Sequence, residues 1–147
     1  MTVRTYDAKE VVLTLDGTPV FGYADGTFIS IEREEETYNK VVGADGMVSR
    51  AKTNNRSGTL TLTLKQTSPS NEDLSDFLNQ DELNNEGVFS VLLKDASSGS
   101  RIFSSTGWVQ GLPTIEYAKE ISEREWVIEL SKIEFDITGN APANNDD

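Results

Sequence analysis

Apolar and polar residues alternate most cleanly from Thr59 to Lys65, with Leu60, Leu62 and Leu64 on one side and Thr59, Thr61 and Thr63 on the other. Successive side chains of a strand point to opposite faces, so this period of two predicts a strand buried on one face and wet on the other. A shorter alternating run, Thr27 to Glu32, precedes it. Between the two lies Glu34 to Gly58, polar, charged and far longer than an ordinary hairpin connection. Within it Tyr38, Val41, Val42, Met47 and Val48 flank Gly43 and Asp45-Gly46. The pattern predicts a protruding arm with apolar residues of its own and a turn at its tip. At ~3.3 Å per residue, about 12 residues each way reach at most ~40 Å. A subunit of this size cannot cover such an arm; a neighbouring copy could.

Elsewhere the pattern predicts further short strands. Glu10 to Leu15 and Thr18 to Tyr23 flank Asp16-Gly17, and Asp25-Gly26 leads into Thr27 to Arg33. Asp-Gly between alternating apolar residues is a strong hairpin signal. Ser70 to Asn79 reads as a short helix, residues 70–80 at most with a trailing turn. Ser70 is the expected N-cap, and Leu74, Phe77 and Leu78 form one apolar face. Val88 to Asp95, Arg101 to Gln110 with a bulge expected at Gly107, and a short Leu112 to Tyr117 follow. The last strand, Glu125 to Ile137, changes phase near Ser131-Lys132, because Trp126, Ile128 and Leu130 share one parity and Ile133, Phe135 and Ile137 the other. Strict alternation forbids that without a bulge or bend. Many short strands, one flanking helix and a long loop between early strands predict a mainly β fold, a β-sandwich or partly closed barrel. One domain is expected over residues 1–140, with the arm at 34–58 and a disordered tail at 141–147.

Composition narrows the chemistry. The 147 residues contain no Cys and no His, which removes thiol nucleophiles, imidazole bases, disulfides and zinc-finger ligation. No apolar run approaches a membrane span. The formal charge of -12 argues against a protein that grips nucleic acid, which needs Lys and Arg against phosphates, but not against one that lets a duplex slide past. The Asp-Gly pairs lack the spaced ligands of a calcium loop, and Thr59, Thr61 and Thr63 lack a neighbouring base that would activate a nucleophile. The acidic cluster Glu32, Glu34, Glu35 and Glu36 reads as a solvated face rather than an acid/base pair. No enzyme constellation, cofactor or metal site is expected. Trp108 and Trp126 leave open a carbohydrate-binding module, although buried strand aromatics are commoner.

Several segments carry a resemblance: Tyr6-Asp7-Ala8-Lys9-Glu10, Phe21-Gly22-Tyr23-Ala24-Asp25-Gly26, Val42-Gly43-Ala44-Asp45-Gly46, Leu64 to Asn71 (Leu-Lys-Gln-Thr-Ser-Pro-Ser-Asn) and Arg124-Glu125-Trp126. From about Tyr6 to Asn140 the chain resembles the tail tube proteins of contractile-tailed bacteriophages, and more narrowly those of Pseudomonas- and Vibrio-type myophages. The Gln-Thr-Ser-Pro-Ser-Asn segment and the Val-Gly-Ala-Asp-Gly turn are its most specific pieces.

That resemblance implies hexameric rings stacked into a hollow tube through which double-stranded DNA passes without specific binding. It implies sheath, baseplate and tail terminator proteins as partners, assembly in the host cytoplasm and a place in the virion. The fold is shared with type VI secretion tubes, so a secretion or injection tube stays open as an alternative. In the family the long loop reaches the adjacent ring. On this chain that makes Glu34, Glu35, Glu36, Tyr38, Lys40, Val42, Asp45, Met47, Arg50, Lys52 and Arg56 candidate inter-ring contacts. One polar strand face, represented by Thr59, Thr61, Thr63 and Glu129, is the candidate lumen lining.

Overall fold

A computed structural model describes residues 3–140. Ten strands and one α-helix follow in the order β1 (Val11–Leu15), β2 (Thr18–Val20), β3 (Ile29–Arg33), β4 (Tyr38–Val42), β5 (Val48–Lys52), β6 (Gly58–Lys65), α1 (Ser70–Asn84), β7 (Phe89–Asp95), β8 (Ser100–Val109), β9 (Glu123–Leu130) and β10 (Glu134–Asp136). Eight of the strands form one antiparallel sheet in the order β2-β1-β7-β8-β9-β6-β3, with β10 joined to β8. β4 and β5 form a separate two-stranded sheet. The fold is mainly β and sandwich-like, and the sheet does not close into a barrel. The expected tail at 141–147 lies outside the described residues.

The alternating strands turn their apolar sides to one core. Leu13 and Leu15 from β1, Leu60, Leu62 and Leu64 from β6, and Trp126, Ile128 and Leu130 from β9 are buried together, with Leu74 and Leu78 of α1 against them. Burying each such side chain contributes on the order of 1.5–3 kcal/mol. The phase change expected in the last strand is present: β9 stops at Leu130, Ser131-Lys132 bends, and Ile133 returns to the core. β8 bends at the same level. Its Phe103 half pairs with β10 and its Gly107 half with β9, and the β7–β8 register shifts between Val91↔Ser104 and Phe89↔Gly107. The bulge expected near Gly107 is therefore spread over Ser104–Gly107.

Four local expectations are corrected. The second Asp-Gly does not make a hairpin: β2 pairs with β1 but β3 pairs with β6, at the opposite edge of the sheet. The chain crosses over because Gly22, at φ 81, sits against Ser68 where any Cβ would clash, and Ala24 N–H donates to Thr63 O. Ser70 is not the N-cap. Pro69 occupies that position, and Ser70 Oγ instead accepts from Phe21 N–H at 3.1 Å. The helix runs past residue 80 to Asn84, where Asn85 in the left-handed conformation ends it. Leu112 to Tyr117 forms no strand.

Candidate functional site

The arm is a hairpin. Tyr38↔Lys52, Lys40↔Arg50 and Val42↔Val48 stand opposite one another on one face, and Asn39↔Ala51 and Val41↔Ser49 on the other. Its tip is closed by Gly43 N–H to Met47 O at 2.8 Å and by Met47 N–H to Asp45 Oδ1 at 3.0 Å. Every residue of both strands is exposed, and Met47 and Val41 are each 67% accessible. Water thus reaches both faces of a ladder that carries valines, a methionine and a tyrosine. Arg50 lies over the Tyr38 ring at 4.1 Å, a cation–π stack. Among the described residues no carboxylate comes within 4.0 Å of Lys40, Arg50 or Lys52; the one ion pair is Lys132–Glu134 at 3.8 Å.

The arm's root is acidic and fastened to the sheet. Glu34 Oε2 accepts from Ser57 Oγ at 3.0 Å, and Glu35 Oε2 accepts from Thr53 Oγ1 at 3.3 Å. Arg33 turns inward, donating from Nη2 to Ile133 O at 2.6 Å and lying over Phe135 at 5.3 Å. Glu32, Glu34, Glu35 and Glu36 line an open cleft of about 550 Å³ with Phe135 and Ile137. Arg56 is exposed at the root but outside the hairpin ladder.

The second surface is the wet face of β6 and β9. Thr59 stands opposite Glu129, Thr61 opposite Val127 and Thr63 opposite Glu125. The four candidate lining residues therefore do share a face. Gln110 Nε2 donates to Glu129 Oε1 at 3.1 Å, and Trp108, opposite Glu129 and 37% accessible, joins the same face. Glu125, opposite Thr63, belongs to the same face, and its parity, four residues before Glu129, is the signal in the sequence that marks it. Lys65, opposite Glu123, is the cation at the end of this face.

Two further features bear on the candidates. Trp126 is 3% accessible, and its Nε1–H donates to Asn71 Oδ1 at 2.9 Å, so it offers no exposed platform for a sugar. Asn71 also donates from Nδ2 to Lys65 O and Ser68 O, each at 3.0 Å. The segment Gln66 to Asn71 thus ties the helix start to β6, β9 and the β2–β3 crossover. Burial raises the Tyr23 phenol above its ordinary pKa, partly offset by a hydrogen bond from the Leu13 backbone. No described helix is long and apolar enough to cross a membrane.

A sandwich-like β domain with a bare two-stranded arm, no gathered catalytic groups among its described residues and a polar sheet face has the form of an assembly subunit. Residues 16–138 match the family described as Bacteriophage PhiTE tail tube protein, and the chain belongs to that phage tail tube family. It is 31% identical over 131 residues to Structural protein ORF10 of Pseudomonas phage KPP10, covering 85% of this chain and 75% of that one. Solved structures share the fold. The tube-terminating cap of the anti-feeding prophage matches with TM-score 0.65 and 13% identity over 95% of each chain. The sheath–tube complex of the extracellular contractile injection system PVC matches with TM-score 0.62 and 13% identity over 90% of this chain and 91% of that one.

Proposed function

We propose that this protein is the structural subunit of the inner tail tube of a contractile phage. Subunits close into hexameric rings, the rings stack, and the genome is conducted through the lumen during ejection. Tube-family membership across residues 16–138 carries the reading. The structure adds two kinds of support. β2 and β3 end the sheet path with unpaired backbone, and such edges invite pairing with another chain. Six edge-to-edge contacts that close by rotation remove them, whereas axial stacking stays open and needs other proteins to start and stop it. The arm supplies the stacking contact through the candidate inter-ring residues. Sheath, baseplate and terminator proteins are the proposed partners, and the virion tail is the proposed location.

The face of Thr59, Thr61, Thr63 and Glu129 is the proposed lumen lining. Neutral hydroxyls bring no positive charge to pair with phosphates, and carboxylates repel them, so a duplex is not gripped. Neither enzymatic turnover nor a cofactor belongs to this role.

The fold likeness to injection-system components favours a second reading, a tube subunit of an injection machine, with the same assembly and a different cargo. Negative-stain microscopy of concentrated protein tests the shared part: rings or hollow tubes are expected, and a persistent monomer in the presence of tail initiator proteins counts against both readings. Finding the protein in DNA-filled virions separates the first from the second.

A further inference from the structure

The arm's cations face one way and have no acidic partner. Lys40 stands directly opposite Arg50, with Lys52 one pair further toward the root on the same face. Like charges placed opposite each other on a ladder repel, so this arrangement costs stability in the free subunit. The same face carries Val42 and Val48 toward the tip. At the root carboxylates predominate: Glu32 and Glu36 line the cleft beside Phe135 and the exposed Ile137, while the cleft's one cation, Arg33, is engaged with Ile133 O. Among the described residues neither Glu32 nor Glu36 makes a side-chain hydrogen bond or an ion pair, unlike Glu34 and Glu35, which brace the root.

We infer that the cationic face of the hairpin in one copy docks in the acidic root cleft of a second copy. This rests on the tube reading and names the surface that the arm meets. Lys40, Arg50 and Lys52 face Glu32 and Glu36, while Val42 and Val48 meet Ile137 and Phe135. The hairpin does not satisfy its own root: among the described residues Lys40, Arg50 and Lys52 make no ion pair with the root carboxylates, and from Glu36 to Gly43 the chain advances seven residues toward the tip, roughly 23 Å at ~3.3 Å per residue. Arm and root are therefore displaced along one direction, and each copy that receives an arm offers its own arm onward. Such a head-to-tail contact does not close on itself and propagates as a filament.

Charge reversal tests the pairing on the full-length protein. Lys40→Glu with Arg50→Glu gives an acidic arm on an acidic root, and Glu32→Lys with Glu36→Lys gives a basic arm on a basic root. Each variant alone is expected to raise the critical concentration for tube formation at least about tenfold, since like charges across an interface repel. The fourfold variant, acidic arm on basic root, is expected to recover assembly, as is an equimolar mixture of the two double variants. All substituted side chains are exposed, so unchanged circular dichroism and melting of dilute subunits serve as the folding control. If the wild type forms tubes and either double variant forms them equally well, the docking is wrong and the tube reading stands. Loss in both double variants without recovery in the fourfold variant or in the mixture also overturns the pairing. A wild type that never assembles even with tail initiator proteins present removes the tube reading itself and the docking with it.

Discussion

The β3–β6–β9 ladder and the β4–β5 ladder are both antiparallel, and their residues differ mainly in what lies behind them. In the first, Leu60, Leu62 and Leu64 are fully covered while their threonine neighbours stay partly wet. In the second, Tyr38, Val41, Val42 and Val48 remain exposed. A lone two-stranded ladder is marginal in water, and here the Tyr38–Arg50 stack is one of its few internal supports. Apolar side chains that add nothing to the core and cations that repel each other are poor investments for a monomer. On the proposed docking a second copy covers them. The two ladders would then divide the work, the first folding the subunit and the second joining subunits.

The sharpest way to break this division is to cut the same kind of atoms from both ladders. Leu62→Ala empties a fully buried site on β6, and a cost of roughly 2–5 kcal/mol is expected. Val42→Ala on the arm is expected to stay within about 0.5 kcal/mol, as exposed substitutions do. Urea unfolding of dilute subunits measures both. A Val42→Ala cost near that of Leu62→Ala would mean that the arm packs on its own subunit.

Gly58 joins the two regions. It opens β6 immediately after the arm, and a Cβ there would meet Glu32 O and the Ile133 side chain. Gly58→Ala pushes against backbone rather than a flexible tip, so a loss of about 1–3 kcal/mol is expected. Because Glu34 N–H donates to Ser57 O and Ile133 N–H to Arg56 O beside it, the same change is expected to shift the arm's root and weaken assembly. A stable subunit that assembles normally would show that the root adjusts independently of the sheet.

The core ladder was readable because burial writes itself as period two: Thr59 to Lys65 names its own faces, and the parity switch at Ser131-Lys132 locates a bend. The arm was readable as excess length between two such runs, and the Gly43-to-Gly46 turn gave its tip. What did not show was partnership. Asp25-Gly26 looks like a hairpin turn, yet β3 crosses to β6, since long-range pairing depends on the Gly22–Ser68 contact, which has no local signature. Ser70 has the residue type of an N-cap, but its hydroxyl is claimed by Phe21, a residue far away in sequence. Leu112 to Tyr117 has strand composition and no strand paired with it. In the candidate surfaces, single residues were legible. Their grouping, such as Lys40 opposite Arg50 or Glu125 beside Thr63, required the register.

Within the arm, the Tyr38–Arg50 stack is the one aromatic–cation contact and is exposed, worth about 0.5–1 kcal/mol; Arg50→Ala loses it but also relieves the repulsion with Lys40 opposite, so a net loss of hairpin order below that figure is expected. Backbone amide exchange at Val41 and Ser49 reads this directly. Exchange in β6 is expected to stay unchanged, and a common slowing or quickening of both ladders would contradict their independence.

The smallest effect separates the turns of the two regions. Asp45 at the arm tip accepts one hydrogen bond, from Met47 N–H. Asp95, ending β7, accepts at Oδ1 from Ser97 Oγ (2.6 Å) and Ser97 N–H (3.1 Å) and at Oδ2 from Ser98 Oγ (3.1 Å). The Ser97 hydroxyl leads in holding the Asp95 carboxyl below its ordinary range; burial opposes it, and the Ser98 hydroxyl and the Ser97 and Ser98 backbone add to the lowering. A lowered pKa in the folded state means that the charged form stabilises the fold. That contribution is complete above the unfolded aspartate value of about 3.9 and vanishes as the pH falls through the lower folded value. Asp95→Asn is therefore expected to be slightly less stable than the wild type at neutral pH, with the difference closing on acidification below about pH 4. The carboxyl is largely in water, so the gap is small. Thermal melts of dilute subunits from neutral to acid pH would show it, and parallel curves would mean that Asp95 shapes the turn through its hydrogen-bonding geometry rather than its charge.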